Sequence, residues 1–62
     1  MSDANHRDLL LTTAERLFAE RGVDAASLRA VMGAAGTNVA AVHYHFGSKD
    51  GLVRALIERR SA

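Results

Sequence analysis

Hydrogen-bonding and basic side chains are concentrated in a central segment, residues 25–49, that contains neither Asp nor Glu. Asp24 and Asp50 bracket this segment, and the acidic residues of the chain all lie outside it. A surface that approaches a polyanion must avoid carboxylates, whereas positive charge and neutral hydrogen-bond donors favour the approach. The segment is therefore a candidate phosphate-contacting surface, although a core segment of small residues can also lack acids by chance. Among its polar members are Ser27, Arg29, Thr37, Asn38, His43, Tyr44, His45 and Lys49.

The histidines are not expected to form a metal site. His43 and His45 are two residues apart, so on a helix they point in nearly opposite directions, and His6 is remote from both in the sequence. The chain has no cysteine, which excludes thiolate zinc sites and disulfides. It also has no nucleophile–base pair at useful spacing, no paired carboxylates and no phosphate loop. We therefore expect no metal, no cofactor and no enzymatic activity.

Length and hydropathy limit the kind of protein this can be. A chain of 62 residues holds one small domain. The polar start of the sequence, residues 1–7, lacks the apolar core of a signal peptide, and no apolar run approaches the ~20 residues needed to span a bilayer. These features predict a cytoplasmic protein. The net charge of +1 says little about its partners.

The first predicted helix runs from about Asn5 to Arg21. Its apolar residues recur at helical spacing and form one stripe, and Gly22 suits the left-handed position that follows a helix end. No strand-like alternation is sustained anywhere in the chain, so the predicted fold class is all-α. The stripe consists of Leu10, Ala14, Leu17 and Phe18.

Two short helices are predicted next, each preceded by a residue that favours an N-cap. Ser27 is expected to cap the first of them, and Gly36 is expected to end it. Asn38 is then expected to cap the second, which runs from about Val39 to His45 or Phe46. The inward-facing residues of the pair are predicted to be Leu28, Val31, Met32, Val42 and Phe46.

A fourth helix is predicted after Gly47, with Ser48 as its cap. Gly51 lies inside this helix, where glycine costs about 0.5–1 kcal/mol relative to alanine. The distal part of its apolar stripe, Leu56 and Ile57, is expected to lie beyond the first three helices and to lack a partner. We therefore interpret the chain as a fragment of a longer protein; the alternative is a self-contained domain whose fourth helix packs fully on the first.

Two short helices joined by a glycine-centred turn predict a helix-turn-helix, at about residues 27–46. The pair requires a small residue where its helices cross, which Ala35 provides. The outward face of its second helix must be slim enough to enter the ~12 Å major groove, and Ala40 and Ala41 meet that requirement. Because many helical hairpins look similar, the pattern alone is only moderately specific.

Short motifs distributed along the chain add a more specific signal. They are Leu17-Phe18-x-x-x-Gly22, Ser27-Leu28, Ala34-Ala35-Gly36 and Val42-His43-Tyr44-His45-Phe46-Gly47-Ser48-Lys49-Asp50-x-Leu52. In this order and spacing they resemble the tetracycline-repressor (TetR-like) family. The resemblance covers the chain from Arg7 to Leu56, and its most specific part is the run from His45 to Asp50.

The resemblance implies a three-helix, homeodomain-like helix-turn-helix bundle followed by the start of a connecting fourth helix. It implies a sequence-specific, ligand-responsive repressor whose partner is a palindromic double-stranded DNA operator. It also implies a homodimer formed through a C-terminal domain, absent from this chain, which would bind a small-molecule effector. The alternative function is a small helical protein-interaction module without nucleic-acid binding.

The predicted DNA-contacting residues are those that the helix-turn-helix presents to the duplex. Lys49 is expected to bind a phosphate, as the family resemblance implies, and Arg29 a phosphate or a guanine edge; either can instead be a solvated surface residue. Asn38 is expected either to cap a helix or to touch DNA. Tyr44 is expected either to donate to a phosphate or to be half-buried against the fourth helix. The full predicted set is Ser27, Arg29, Thr37, Asn38, Val39, Ala40, Ala41, His43, Tyr44 and Lys49.

Overall fold

The computed structural model describes residues 3–61, with side chains described for residues 6–38 and 40–61. Over this range the chain forms α1 (Asp3–Arg21), α2 (Leu28–Ala35), α3 (Val39–Phe46) and α4 (Lys49–Ser61). This confirms the all-α prediction and the order of the predicted helices. The first helix begins two residues earlier than predicted, at Asp3 rather than about Asn5.

One hydrophobic cluster holds the helices together. The predicted stripe of α1 is buried within it except for Phe18, which is partly buried at its edge. Leu11, which the predicted stripe did not include, is also buried because α2 and α4 both pack on α1 and widen the covered face. The buried residues are Leu10, Leu11, Ala14, Leu17, Ala26, Val31, Val42, Leu52, Ala55 and Leu56.

The ends of the helices follow local chemistry. Ser27 and Asn38 lie in extended backbone conformations, and their side-chain oxygens accept hydrogen bonds from backbone N–H groups in the first turns of α2 and α3. Gly36 ends α2 in the left-handed region, with φ +69° and ψ +36°, where a Cβ would be strained. These observations confirm the predicted caps of the helix-turn-helix pair.

The fourth helix packs on the first more completely than expected. Leu56 is only 7% exposed, so the prediction that it lacks a partner is wrong. The reason is that α4 packs along α1, so that Leu56 lines the same groove as Phe18 and Ala19. Ile57, by contrast, is 60% exposed, as predicted. The described residues contain no helix long and apolar enough to cross a membrane.

Candidate nucleic-acid interface

The third helix exposes the side that the sequence predicted to face outward. Ala40, His43 and Tyr44 are exposed, whereas Val42 on the opposite side is fully buried. Tyr44 is 74% exposed, so the alternative in which it is half-buried against α4 is wrong. The small side chain of Ala40 keeps the first turn of this surface slender, as entry into a major groove requires.

The connection between α2 and α3 is held by backbone hydrogen bonds. The N–H of Thr37 donates to the carbonyl oxygen of Met32 at 3.0 Å, and the N–H of Gly36 donates to that of Gly33 at 3.3 Å. These bonds satisfy carbonyls that the end of a helix leaves without partners. The turn is therefore closed locally, and it sets the angle at which α3 leaves α2.

Two of the predicted DNA contacts already have structural roles. The Oγ of Ser27 accepts from the N–H of Ala30, and the Oδ1 of Asn38 accepts from the N–H of Ala41, each at 3.1 Å. Both side chains are nevertheless exposed. The capping bond of Asn38 uses only its carbonyl oxygen, and its amide N–H₂ is chemically still a donor.

His43 is oriented by a bond to the end of its own helix. Its Nδ1 lies 2.8 Å from the carbonyl oxygen of Gly47. Because a carbonyl oxygen can only accept, Nδ1 must carry the proton and donate. The remaining ring nitrogen, Nε2, is then the atom through which this exposed residue can interact with a phosphate or a base edge.

Lys49 is the first residue of α4 and lies two positions after Gly47, whose carbonyl oxygen accepts from His43. The Oγ of Ser48 caps the helix by accepting from the N–H of Gly51 at 3.2 Å. Lys49 is half-buried, and Asp50 beside it is exposed. A lysine at a helix N-terminus can hold a phosphate together with backbone N–H groups. On α2, Arg29 is exposed and offers a second cation within the acid-free segment.

Thr37 has a long-range partner that the sequence did not predict. Its Oγ1 lies 2.9 Å from Nε2 of His6 in α1. The ring of His6 also meets the ring of His45 edge-on, with 5.6 Å between centroids. His6 is remote from His45 in the sequence, but the fold brings their rings together, so using that separation to place the histidines far apart in space is wrong. No local pattern could have shown this.

The remaining predicted residues of α3 are Ala41 and Val39. Ala41 is half-buried, so it contributes less surface than Ala40. For Val39 only the backbone, at the first position of α3, is described, and its side chain lies outside the described residues. Within the described part of the chain, no group of three or more His, Cys, Asp or Glu side chains could hold a metal ion.

The ion pair that the structure describes lies outside the proposed interface. The Nε of Arg60 lies 3.6 Å from a carboxylate oxygen of Glu15, joining α4 to α1. Neither residue belongs to the predicted site. The exposed residues of α3, the exposed Arg29 and the half-buried Lys49 all belong to the acid-free stretch of sequence between Asp24 and Asp50.

Known proteins with similar sequences are bacterial transcriptional regulators. The family model described as "Bacterial regulatory proteins, tetR family" matches residues 10–56. The HTH-type transcriptional repressor AcnR of Corynebacterium glutamicum is 38% identical over 58 residues, covering 94% of this chain and 31% of the relative. The repressor of the same name from Corynebacterium efficiens is also 38% identical over 58 residues. The chain thus spans about a third of the length of these curated relatives.

Proposed function

This chain belongs to the tetR family of bacterial regulatory proteins, and from this we propose that it is the DNA-binding head of a transcriptional repressor. In this proposal α3 enters the major groove of an operator half-site, with Ala40 and His43 towards the base edges. Lys49 and Arg29 contact the phosphates on either side. The protein then acts in the cytoplasm, where bacterial operators lie, and has no catalytic role.

The observation that carries the proposal is the exposed face of α3. Its side chains are small or polar, and they lie in a stretch of 25 residues (25–49) without a carboxylate. Each nearby carboxylate would repel the DNA backbone, whereas cations that release condensed counterions strengthen binding. Rigid caps at both ends of the helix-turn-helix support it further, since a preorganised surface loses less entropy on binding.

The proposed assembly is a homodimer formed through a larger C-terminal domain. The curated relatives are about three times as long as the part matched here. An apolar groove of about 330 Å³ lies between α1 and α4 and is lined in part by Val23 and Ile57. It supports the proposal that the larger domain docks on this side of the head. A small-molecule effector bound to it would change the separation of two heads and release a palindromic operator.

A protein-interaction module is not favoured. Such a module would be expected to present a contiguous apolar patch on the face of α3. The exposed residues there are instead Ala40, His43 and Tyr44, and the relatives at 38% identity carry the name of a transcriptional repressor.

Footprinting of the full-length dimer on the DNA upstream of its own gene tests the proposal. We expect protection of a palindromic site with half-sites one helical turn or a multiple of it apart. The isolated head is a poor probe, because it loses the effective concentration that tethers the second head. The proposal fails if the dimer binds this DNA no more tightly than mixed-sequence DNA.

A further inference from the structure

His6 contacts the recognition helix α3 near both of its ends. At one end its Nε2 is hydrogen-bonded to Thr37, which lies in the turn before α3. At the other end its ring meets the edge of the ring of His45, in the last turn. The next residue, Arg7, places its guanidinium 5.3 Å from the centroid of the Phe46 ring. Two consecutive residues near the start of α1 thus hold the start and the end of α3.

The rest of the fold restrains α3 only on one side. The helix has eight residues, too few to be stable by itself in water. Of its described side chains, Val42 is the one that is fully buried, and Phe46 is half-buried. Val42 and Phe46 both anchor α3 to the core from one side. The contacts of His6 with Thr37 and His45 add a restraint near each end of the helix.

We propose that His6 is a positioning residue for DNA binding, which holds α3 in the orientation that reads the operator. The inference rests on the proposed function, since it concerns the helix assigned to the major groove. His6 itself need not touch DNA. Base contacts require placement to within a fraction of an ångström, whereas phosphate contacts tolerate more movement, so loss of His6 should weaken operator binding more than binding to mixed-sequence DNA.

The bond between His6 and Thr37 is insensitive to the tautomer of the ring. A threonine hydroxyl both donates and accepts, so it pairs with Nε2 whether or not that nitrogen carries a proton. A glutamine side chain offers the same two options at similar reach, and phenylalanine offers neither while keeping an aromatic ring beside His45. This pair of substitutions separates the hydrogen bond from the ring contact.

The test uses the full-length protein carrying His6→Phe or His6→Gln. Leu9→Gln is the matched control, since Leu9 is 48% exposed on the same helix and outside the proposed site. We expect His6→Phe to weaken operator binding about three- to tenfold, the range of one neutral hydrogen bond. His6→Gln should restore most of that loss, because it keeps a partner for the Thr37 hydroxyl.

A second measurement requires no DNA. In the free protein, amide hydrogen exchange at residues 43–46 should be several-fold faster in His6→Phe than in the parent or in His6→Gln, because α3 opens locally more often. Equal exchange and equal operator affinity in all His6 variants would overturn the positioning role while leaving the proposed function intact. A parent protein without operator preference would overturn the proposed function, and exchange would then still decide whether His6 holds α3.

Discussion

Gly51 lies directly against the carbonyl oxygen of Phe46, so closely that a Cβ at this position would collide with that oxygen. Phe46 is the last residue of α3, and Gly51 lies in the first turn of α4. The corner between the two helices can close this tightly only because residue 51 has no side chain. The sequence alone shows a glycine that weakens a helix, whereas the structure shows why it is required there.

Gly51→Ala should therefore destabilise the fold, even though alanine is the better helix former. A collision with backbone cannot be relieved by a change of rotamer, and overpacking of this kind costs about 1–3 kcal/mol. Urea denaturation followed by circular dichroism measures the change. Gly33→Ala is the matched control: a Cβ there meets nothing within 4 Å, so it should stabilise α2 by about 0.5–1 kcal/mol. Equal effects of the two substitutions would argue against the collision.

Substitutions of Asn38 should separate its capping role from its place on the DNA-facing surface. Asn38→Ala removes the acceptor for the N–H of Ala41 and should cost about 0.5–2 kcal/mol of stability. Asn38→Asp keeps a capping oxygen, so stability should be retained. It also places a carboxylate in the acid-free segment, so operator affinity should fall markedly and more so at low salt. Unchanged affinity of the aspartate variant would remove this position from the interface.

Lys49→Ala should weaken binding to every DNA sequence by a similar factor. If the lysine neutralises one phosphate, its loss should reduce the slope of log affinity against log salt concentration by about one unit. Arg54→Ala is the control, because Arg54 is exposed on the same helix and outside the proposed site. Fluorescence anisotropy across a salt series measures both slopes. Equal slopes for Lys49→Ala and the parent would exclude the phosphate contact.

Ala40→Leu should change which operator is chosen. The larger side chain on the exposed face of α3 fills space that a base edge would occupy, so selection from a library of randomised operators should yield altered half-sites. The discrimination that one base contact contributes is about 1–3 kcal/mol. Ala34→Leu, at an exposed position of α2, should retain the parent's preference. An unchanged preference in Ala40→Leu would remove Ala40 from direct readout.

Much of this architecture was predictable because it depends on local chemistry. The capping oxygens of Ser27 and Asn38 act on N–H groups three residues away, and the left-handed Gly36 follows directly after the helix that it ends. The exposure of Ala40 and His43 opposite Val42 follows from helical periodicity alone. The metal-free interpretation, in contrast, was based partly on a separation of His6 from His45 that exists in the sequence and not in the fold.

The sequence by itself determined the order of the helices, the caps of α2, α3 and α4, and which side of each helix is apolar, because those properties arise between residues within one or two helical turns. Only the tertiary structure decided that His6 meets Thr37 and His45, that Leu56 is covered by α1, and that Gly51 fits under Phe46. These relationships depend on the distances and angles at which whole helices pack. Those are set by the combined shape of the buried side chains, which no short stretch of sequence contains.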